Sequence, residues 1–242
     1  MRKLVVVGGS SGIGRAIAVQ AAAIGHDVTV LARRTVDDVP SMSVDVRDEG
    51  AIARAFENLD DLDAVIYTAG VAELTALADQ SQESWRATFD TNVIGAALVA
   101  KHAMERLAAR NGVMFFVSST NDHEQWWGLS AYGASKAALN RLVAGLRAEH
   151  PEQRFVRATV GPTVGTEFAS TWDGSQLGRA FEHWVDDRQL TAQQMPPDDL
   201  AAVVLSLVGT LLDHPTVNMP DVHLAPPGDR FRPSPAPPAD PG

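Results

Sequence analysis

The stretch Leu4-Val5-Val6-Val7-Gly8-Gly9-Ser10-Ser11-Gly12-Ile13-Gly14 decides the fold. Its four apolar residues, three of them β-branched, predict a short strand that is buried on both faces. The glycines that follow predict a turn, and the next residues predict a helix from Ile13 to Ile24 that ends at Gly25. Val28 to Leu31 is the next predicted strand, so the chain opens with a βαβ unit and therefore a parallel sheet.

The same alternation of strands and helices continues along the chain. Apolar runs predict further strands at 64–67, 113–117 and 155–160, and a short strand is expected before Asp45. Helices are predicted at 47–59, 84–109, 131–150 and 200–212. We therefore expect an α/β fold over residues 1–225, built on a single doubly wound parallel sheet of about seven strands with helices on both faces.

Two stretches differ from this pattern. Residues 161–197 have scattered Gly, Thr, Trp and Pro, and we expect a mobile flap over the substrate site that contains a short helix. Residues 226–242 hold seven of the 14 prolines of the chain. A segment of that composition cannot form a packed core, so we expect the tail to be disordered.

Composition excludes several classes of function. The 242 residues are 45% hydrophobic and can bury a substantial core, but they include no cysteine, which excludes disulfides, thiolate metal sites and cysteine nucleophiles. With 30 acidic against 20 basic residues and no basic cluster, neither nucleic acid nor a membrane surface is an expected partner. The apolar run after Lys3 is too short for a signal peptide or a membrane helix, so we expect a cytoplasmic protein.

The glycine-rich turn lies where an open α/β sheet binds the pyrophosphate of a dinucleotide. Gly8 allows a sharp exit from the strand, Gly12 lets the backbone approach phosphate, and Gly14 permits close packing of the helix. The spacing is GxxxGxG and not GxGxxG, so glycines that merely close the turn are the alternative.

The second strand is followed by two arginines and lacks a terminal carboxylate. A carboxylate there would bind the adenosine ribose and repel a 2′-phosphate, whereas Arg33 and Arg34 offer guanidinium groups that suit phosphate. We therefore favour NADP(H) over NAD(H) as the cofactor. The alternative is that Arg33 and Arg34 are simply a pair of solvated surface residues. Asp45-Val46, after the third strand, is placed to meet the adenine.

Candidate catalytic groups come from three later segments. Tyr132 and Lys136 stand at i and i+4 at the start of a predicted helix, so both lie on one face, where the ammonium would lower the pKa of the phenol. Ser119 follows a strand, at the edge of the sheet that binds ligands. Asn92 lies within a long predicted helix, where a buried amide needs partners. The alternatives are that Tyr132 and Lys136 only contact each other on the protein surface, that Ser119 is an ordinary turn residue, and that Asn92 is a buried amide with satisfied hydrogen bonds.

Taken together, the motifs resemble the short-chain dehydrogenase/reductase family, a family of Rossmann-like fold, over residues 1 to about 225. The residues that match are Gly8-x-x-x-Gly12-x-Gly14, Asp45-Val46, Ala69-Gly70, Asn92-Val93-x-Gly95, Ser119 and Tyr132-x-x-x-Lys136. The resemblance implies hydride transfer between a nicotinamide and a carbonyl or alcohol carbon. It adds Ser10, Ser11, Ile13 and Thr166 to the cofactor site, and Arg33 matches members that prefer NADP.

The same resemblance assigns roles to the four polar residues. Tyr132 would be the general acid/base, and Ser119 would hydrogen-bond the same substrate oxygen. Lys136 would hold the nicotinamide ribose and lower the pKa of Tyr132. Asn92 would anchor a water that connects Lys136 to solvent. Family members also pair into dimers or tetramers through the helices of Asn92 and Tyr132, which have small residues here at Gly95, Ala96, Ala97, Ala134, Ala137 and Ala138.

The chain also departs from the family pattern. Val7 stands where the family has Thr, and Thr68 stands where an Asn precedes Ala69-Gly70. Only ten residues separate Arg34 from Asp45, which is too few for the usual helix, so we expect a bare loop there.

Aromatic residues surround the expected substrate position. Trp126, Phe168 and Trp172 are candidates for the pocket, with Trp184 a weaker one, and they predict an apolar or aromatic substrate unless the rings fill a subunit interface.

Two other functions compete with the oxidoreductase. One is a catalytically silent sensor of NADP(H), with the Pro-rich tail as its recruiting segment. The other is an epimerase or dehydratase of nucleotide sugars, for whose C-terminal substrate domain there is no room.

Overall fold

In a computed structural model, which describes residues 1–170, 172–186 and 193–227, the chain forms one seven-stranded sheet with every neighbouring pair of strands parallel. The strand order is β3-β2-β1-β4-β5-β6-β7. The strands are β1 (Lys3–Val7), β2 (Asp27–Ala32), β3 (Ser41–Ser43), β4 (Ala64–Tyr67), β5 (Val113–Ser119), β6 (Arg154–Val160) and β7 (Asp221–Leu224). The order reverses between β1 and β4, which creates the crevice at the carboxyl ends where such sheets bind ligands.

Helices cover both faces of the sheet. They are α1 (Gly12–Ala23), α2 (Glu49–Glu57), α3 (Gln82–Phe89), α4 (Gly95–Ala108), α5 (Ser130–Glu149), α6 (Gly174–Asp186) and α7 (Pro197–Asp213). Buried side chains of α1 and α7 pack in the core on one face, and those of α2, α4 and α5 in the core on the other. The predicted doubly wound Rossmann-like fold is therefore confirmed. Among the described residues, no helix is both long and apolar enough to cross a membrane.

The helix predicted at 84–109 is interrupted. A π-helical turn, Asp90–Ile94, separates α3 from α4. The buried Tyr67 hydroxyl donates a hydrogen bond to the Thr91 carbonyl oxygen at 2.5 Å, and Asn92 points into the protein beside it. Sequence periodicity predicts one continuous helix here and does not reveal the π-helical turn.

The segment from Arg34 to Asp45 contains only the three-residue strand β3, so the predicted bare loop is confirmed. The segment 161–197 contains α6 and a short 3₁₀ turn at Glu167–Ala169, and its mobility stays a prediction. Thr171 and residues 187–192 of that flap lie outside the described residues. So do residues 228–242, which include almost all of the tail for which we predicted disorder.

Candidate active site

One cleft of about 950 Å³ runs along the carboxyl ends of the strands and under the flap. It brings together nearly all of the residues that the sequence singled out. Those in its wall are Gly8, Ser10, Ser11, Gly12, Ile13, Gly14, Arg33, Arg34, Asp45, Val46, Ala69, Gly70, Ser119, Trp126, Tyr132, Lys136, Thr166, Phe168 and Trp172. Asn92 is fully buried behind the wall.

The turn between β1 and α1 requires glycine at two positions. Gly8 has φ +86°, and a Cβ there would lie 2.5 Å from the Ala69 nitrogen. A Cβ at Gly14 would lie 2.3 Å from the Thr68 hydroxyl oxygen. The N-cap residue Ser11 makes no side-chain capping bond, so the first N–H groups of α1 remain available to an anion at the cleft. The turn therefore fits a pyrophosphate.

Thr68 compensates for one of the departures from the family pattern. Its hydroxyl donates to the Val7 carbonyl oxygen at 2.8 Å and so ties the end of β4 to the end of β1. Val7 has no side-chain donor or acceptor of its own. The side chain of Thr68, and not that of the residue at position 7, therefore braces the glycine turn here.

The expected adenosine end of the cleft contains an ion pair that the sequence did not reveal. Arg47 lies in the cleft wall and binds Asp45 through Nε at 3.0 Å and Nη2 at 2.6 Å. These hydrogen bonds lower the pKa of the Asp45 carboxyl. The carboxylate predicted to meet the adenine is thus hydrogen-bonded to Arg47, and no sequence pattern signals this pair because both residues lie in the irregular loop between β3 and α2.

Tyr132 and Lys136 lie side by side on α5, with the Lys136 Nζ 5.5 Å from the centre of the tyrosine ring. Burial raises the pKa of Tyr132 to about 12, although a hydrogen bond with Ser119 lowers it in part. Burial lowers the pKa of Lys136 to about 8, and its ammonium donates to the Val117 carbonyl oxygen at 3.0 Å. The pKa of Tyr132 is therefore raised overall, because desolvation of the phenol dominates, and the expectation that Lys136 depresses this pKa stays a prediction.

The side chain of Asn92 makes three hydrogen bonds. Its Oδ1 accepts from the Val71 N–H at 2.8 Å, and its Nδ2 donates to the Val71 carbonyl at 3.0 Å and to the Ser135 Oγ at 2.9 Å. The Ser135 hydroxyl in turn donates to the carbonyl of Tyr132 at 2.7 Å. Asn92 thus ties the loop after β4 to the helix turn of Tyr132, and the water assigned to it by the resemblance stays a prediction.

The far end of the cleft is formed by a chain of aromatic rings. Ring centres are 5.0 Å apart for Tyr132 and Phe168, 5.4 Å for Phe168 and Trp172, and 6.3 Å for Trp172 and Trp184. Trp126 then packs edge-on against Trp184 at 5.2 Å. Trp184, the weaker candidate in sequence, is 6% exposed and lines the cleft, because α6 turns it inward.

The indole N–H groups of this cluster are all bonded within the protein. Trp172 donates to the Ala72 carbonyl at 3.1 Å, Trp184 to the Trp127 carbonyl at 3.1 Å, and Trp126 to a Glu124 carboxylate oxygen at 3.2 Å. The rings therefore present apolar surface to a ligand and no unpaired donor.

A family model described as short chain dehydrogenase matches residues 2–174. A 3-dehydrosphinganine reductase of Arabidopsis thaliana is 33% identical over 166 residues, which cover 61% of this chain and 50% of the relative. A 2,3-dihydro-2,3-dihydroxybenzoate dehydrogenase of Escherichia coli is 34% identical over 152 residues, which cover 60% and 61%. The matched region thus spans about half to three fifths of these curated relatives.

Solved structures share the architecture over nearly the whole chain. The closed form of a serine dehydrogenase complexed with NADP⁺ superposes with a TM-score of 0.81, covers 95% of this chain and 96% of its own, and is 24% identical. At that identity the similarity establishes the fold alone.

Proposed function

The chain belongs to the short-chain dehydrogenase/reductase family, and on that premise we propose that it is an NADP(H)-dependent oxidoreductase that interconverts a carbonyl compound and a secondary alcohol. The observation that carries the proposal is the position of the Ser119–Tyr132 pair and Lys136 in the same cleft as the glycine turn. A reacting carbon between them would lie within reach of both a bound dinucleotide and a proton donor.

Each polar group would have one role. The bound nicotinamide would supply or accept the hydride. Ser119 would donate a hydrogen bond to the substrate oxygen and orient it, while Tyr132 would transfer its proton to the same oxygen during reduction. Lys136 would provide positive charge beside the phenol and so stabilise the phenolate that this transfer leaves.

The protonation state of the site favours reduction at neutral pH. Because burial raises the pKa of Tyr132 to about 12, the phenol holds its proton at pH 7 and can donate it. Oxidation would need the phenolate, which is scarce at that pH.

Arg33 supports the choice of NADP(H). It follows β2 in the cleft wall, beside Arg34 and without a carboxylate at the strand end. A guanidinium group there suits the 2′-phosphate that distinguishes NADP(H) from NAD(H).

The aromatic cluster supports an uncharged substrate. Beyond Tyr132, the far end of the cleft is formed by Trp126, Phe168, Trp172 and Trp184, and the hydrogen-bonded indole groups leave these four rings with no free polar group for a carboxylate or ammonium. A charged group there would lose hydration without compensation. We therefore propose an aromatic or apolar ketone or aldehyde as the substrate class.

The test is a panel of aryl and alkyl ketones and aldehydes, scored by loss of NADPH absorbance. We expect turnover of at least one aromatic member, and we expect Tyr132→Phe to reduce kcat by a factor of about 100 or more because the proton donor is lost. NADPH affinity, measured by fluorescence titration, should stay within about twofold, since the ring is retained. Tight NADPH binding without turnover of any member would favour the silent sensor instead.

A further inference from the structure

A second, smaller cavity of about 340 Å³ lies beside the aromatic end of the cleft. It is lined by Ala72, Glu73, Leu74, Thr75, Trp172, Asp173 and Gln176. Ala72 and Trp172 also line the cleft, so the two spaces meet at these two residues.

Trp172 is the larger of the shared residues and is held in place from several sides. Its indole N–H donates a hydrogen bond to the Ala72 carbonyl oxygen at 3.1 Å, so the two shared residues are hydrogen-bonded to each other. Its ring packs edge-on against Phe168 at 5.4 Å and Trp184 at 6.3 Å, and its backbone N–H donates to the Ala169 carbonyl at 3.1 Å. A ring with these contacts is a fixed wall, since rotating it would break a hydrogen bond and two aromatic contacts at once.

We propose that Trp172 is a specificity-determining residue that separates the substrate end of the cleft from the second cavity and so limits substrate length. The inference rests on the proposed function, because it concerns the carbonyl substrate of that site. A compact aryl ketone would fit against the ring. A ketone extended on the side away from its carbonyl would collide with the indole, although empty space lies behind it.

The proposal predicts what a smaller residue would do. Trp172→Ala would remove the ring and join the two cavities, so extended substrates would gain a place for their tails. Trp172→Phe would keep a ring against Phe168 and Trp184 and should keep the wall. Leu177→Ala, on α6 five residues after Trp172 and outside both linings, is the matched control.

The experiment compares acetophenones with 4-alkyl groups of one to six carbons. For wild type, Trp172→Phe and Leu177→Ala we expect kcat/KM to fall by about tenfold or more once the tail reaches the wall, since one misfitting methylene is worth that much. For Trp172→Ala we expect the ratio of long-chain to short-chain kcat/KM to rise by about tenfold or more. NADP⁺ affinity within about twofold of wild type checks that the variant is folded.

Two results are decisive in different ways. If Trp172→Ala reduces the compact ketones but keeps the wild-type dependence on length, the inference is overturned and the proposed function stands. If wild type reduces no ketone and no aldehyde of the panel, the proposed function fails. The length limit is then measured by binding of the same series to NADP⁺-saturated protein, with tryptophan fluorescence as the signal. An unchanged order of affinities in Trp172→Ala would overturn the inference there as well.

Discussion

At the scale of single residues, burial acts on Tyr132 and Lys136 in opposite directions. It disfavours the charged form of each, so it raises the pKa of the phenol to about 12 and lowers that of the ammonium to about 8. Near neutral pH both groups hold a proton, which is the state that carbonyl reduction needs. Above pH 8 the ammonium is lost first, and with it the positive charge beside the phenol.

The shift at Lys136 predicts a pH-dependent stability. Between pH 8 and 10.5 the folded chain has already released the proton that the unfolded chain still holds, so the free energy of unfolding rises with pH in that window. Below pH 8 the buried ammonium is destabilising. We expect Lys136→Met to raise the free energy of unfolding by about 1–3 kcal/mol at pH 7 and by much less at pH 9.5.

Urea unfolding at the two pH values measures this difference. Lys101→Met is the matched control, because Lys101 is exposed on α4 and pairs with Glu49, and its effect should be equally small at both pH values. A Lys136→Met effect of the same size at pH 7 and pH 9.5 would contradict the assignment of a depressed pKa.

Some residues of the site could be predicted from sequence because their spacing alone brings them together. Tyr132 and Lys136 share a helix face, and the glycines follow a buried strand. Arg47 and Trp184 could not be predicted in this way. The bond between Arg47 and Asp45 depends on the path of an irregular loop, and Trp184 enters the cleft only because α6 packs across it.

At the scale of elements, the junction between the π-helical turn and α4 is closely packed. A Cβ at Gly95 would lie 2.8 Å from Val46 Cγ2 and 2.9 Å from the Tyr67 hydroxyl, which itself bonds to Thr91. Val46 lines the cleft. A larger side chain at Gly95 would therefore displace atoms both at the π-helical turn that contains Asn92 and at the expected adenine end of the cleft.

We therefore expect Gly95→Ala to lower the free energy of unfolding by about 1–3 kcal/mol through overpacking. Gly145→Ala provides the contrast, because Gly145 lies within α5 and a Cβ there meets nothing within 4 Å. That change should raise the free energy of unfolding by roughly 0.5–1 kcal/mol through helix propensity. Urea denaturation of both variants measures the two effects, and a shift of the same sign in both would refute the packing argument.

Most elements were predicted because each was a strongly patterned segment. The strand 64–67 was predicted with the bounds that it has in the structure, and the helices of the sheet faces agree within a few residues. The π-helical turn was missed because the hydrogen bond that accompanies it comes from Tyr67, on a strand distant in sequence. Local periodicity contains no information about such a partner.

At the scale of the whole molecule, pairing of subunits through α4 and α5 stays a prediction. The small residues that suggested this pairing differ in their exposure to solvent. Gly95 and Ala96 are buried within the chain itself, whereas Ala134 and Ala137 are exposed and Ala97 is half-buried. The face available to a partner is therefore narrower than the run of small residues in the sequence.

The cleft extends from the arginines after β2, past the ends of β1, β4, β5 and β6, to the flap, so a bound dinucleotide would contact elements throughout the fold. A ligand that binds only the folded state raises the free energy of unfolding by about 2.7 kcal/mol at 100 times its Kd. For a domain of this size that corresponds to a rise in Tm of about 5–10 °C. We expect this rise with NADP⁺ and a clearly smaller one with NAD⁺ at the same concentration.

The difference between the two cofactors should depend on Arg33, because its guanidinium directly follows β2 at the end of the cleft that is proposed to bind the 2′-phosphate. Arg33→Ala should reduce the Tm rise with NADP⁺ to the value seen with NAD⁺ and leave the NAD⁺ value unchanged, because loss of a charge-assisted hydrogen bond costs about 1.5–3 kcal/mol of binding. Arg86→Ala, an exposed arginine on α3 outside the cleft wall, is the control and should behave as wild type. Differential scanning fluorimetry measures all six combinations. Equal losses with both cofactors in Arg33→Ala would show that this arginine supports the fold of the loop and does not select the phosphate.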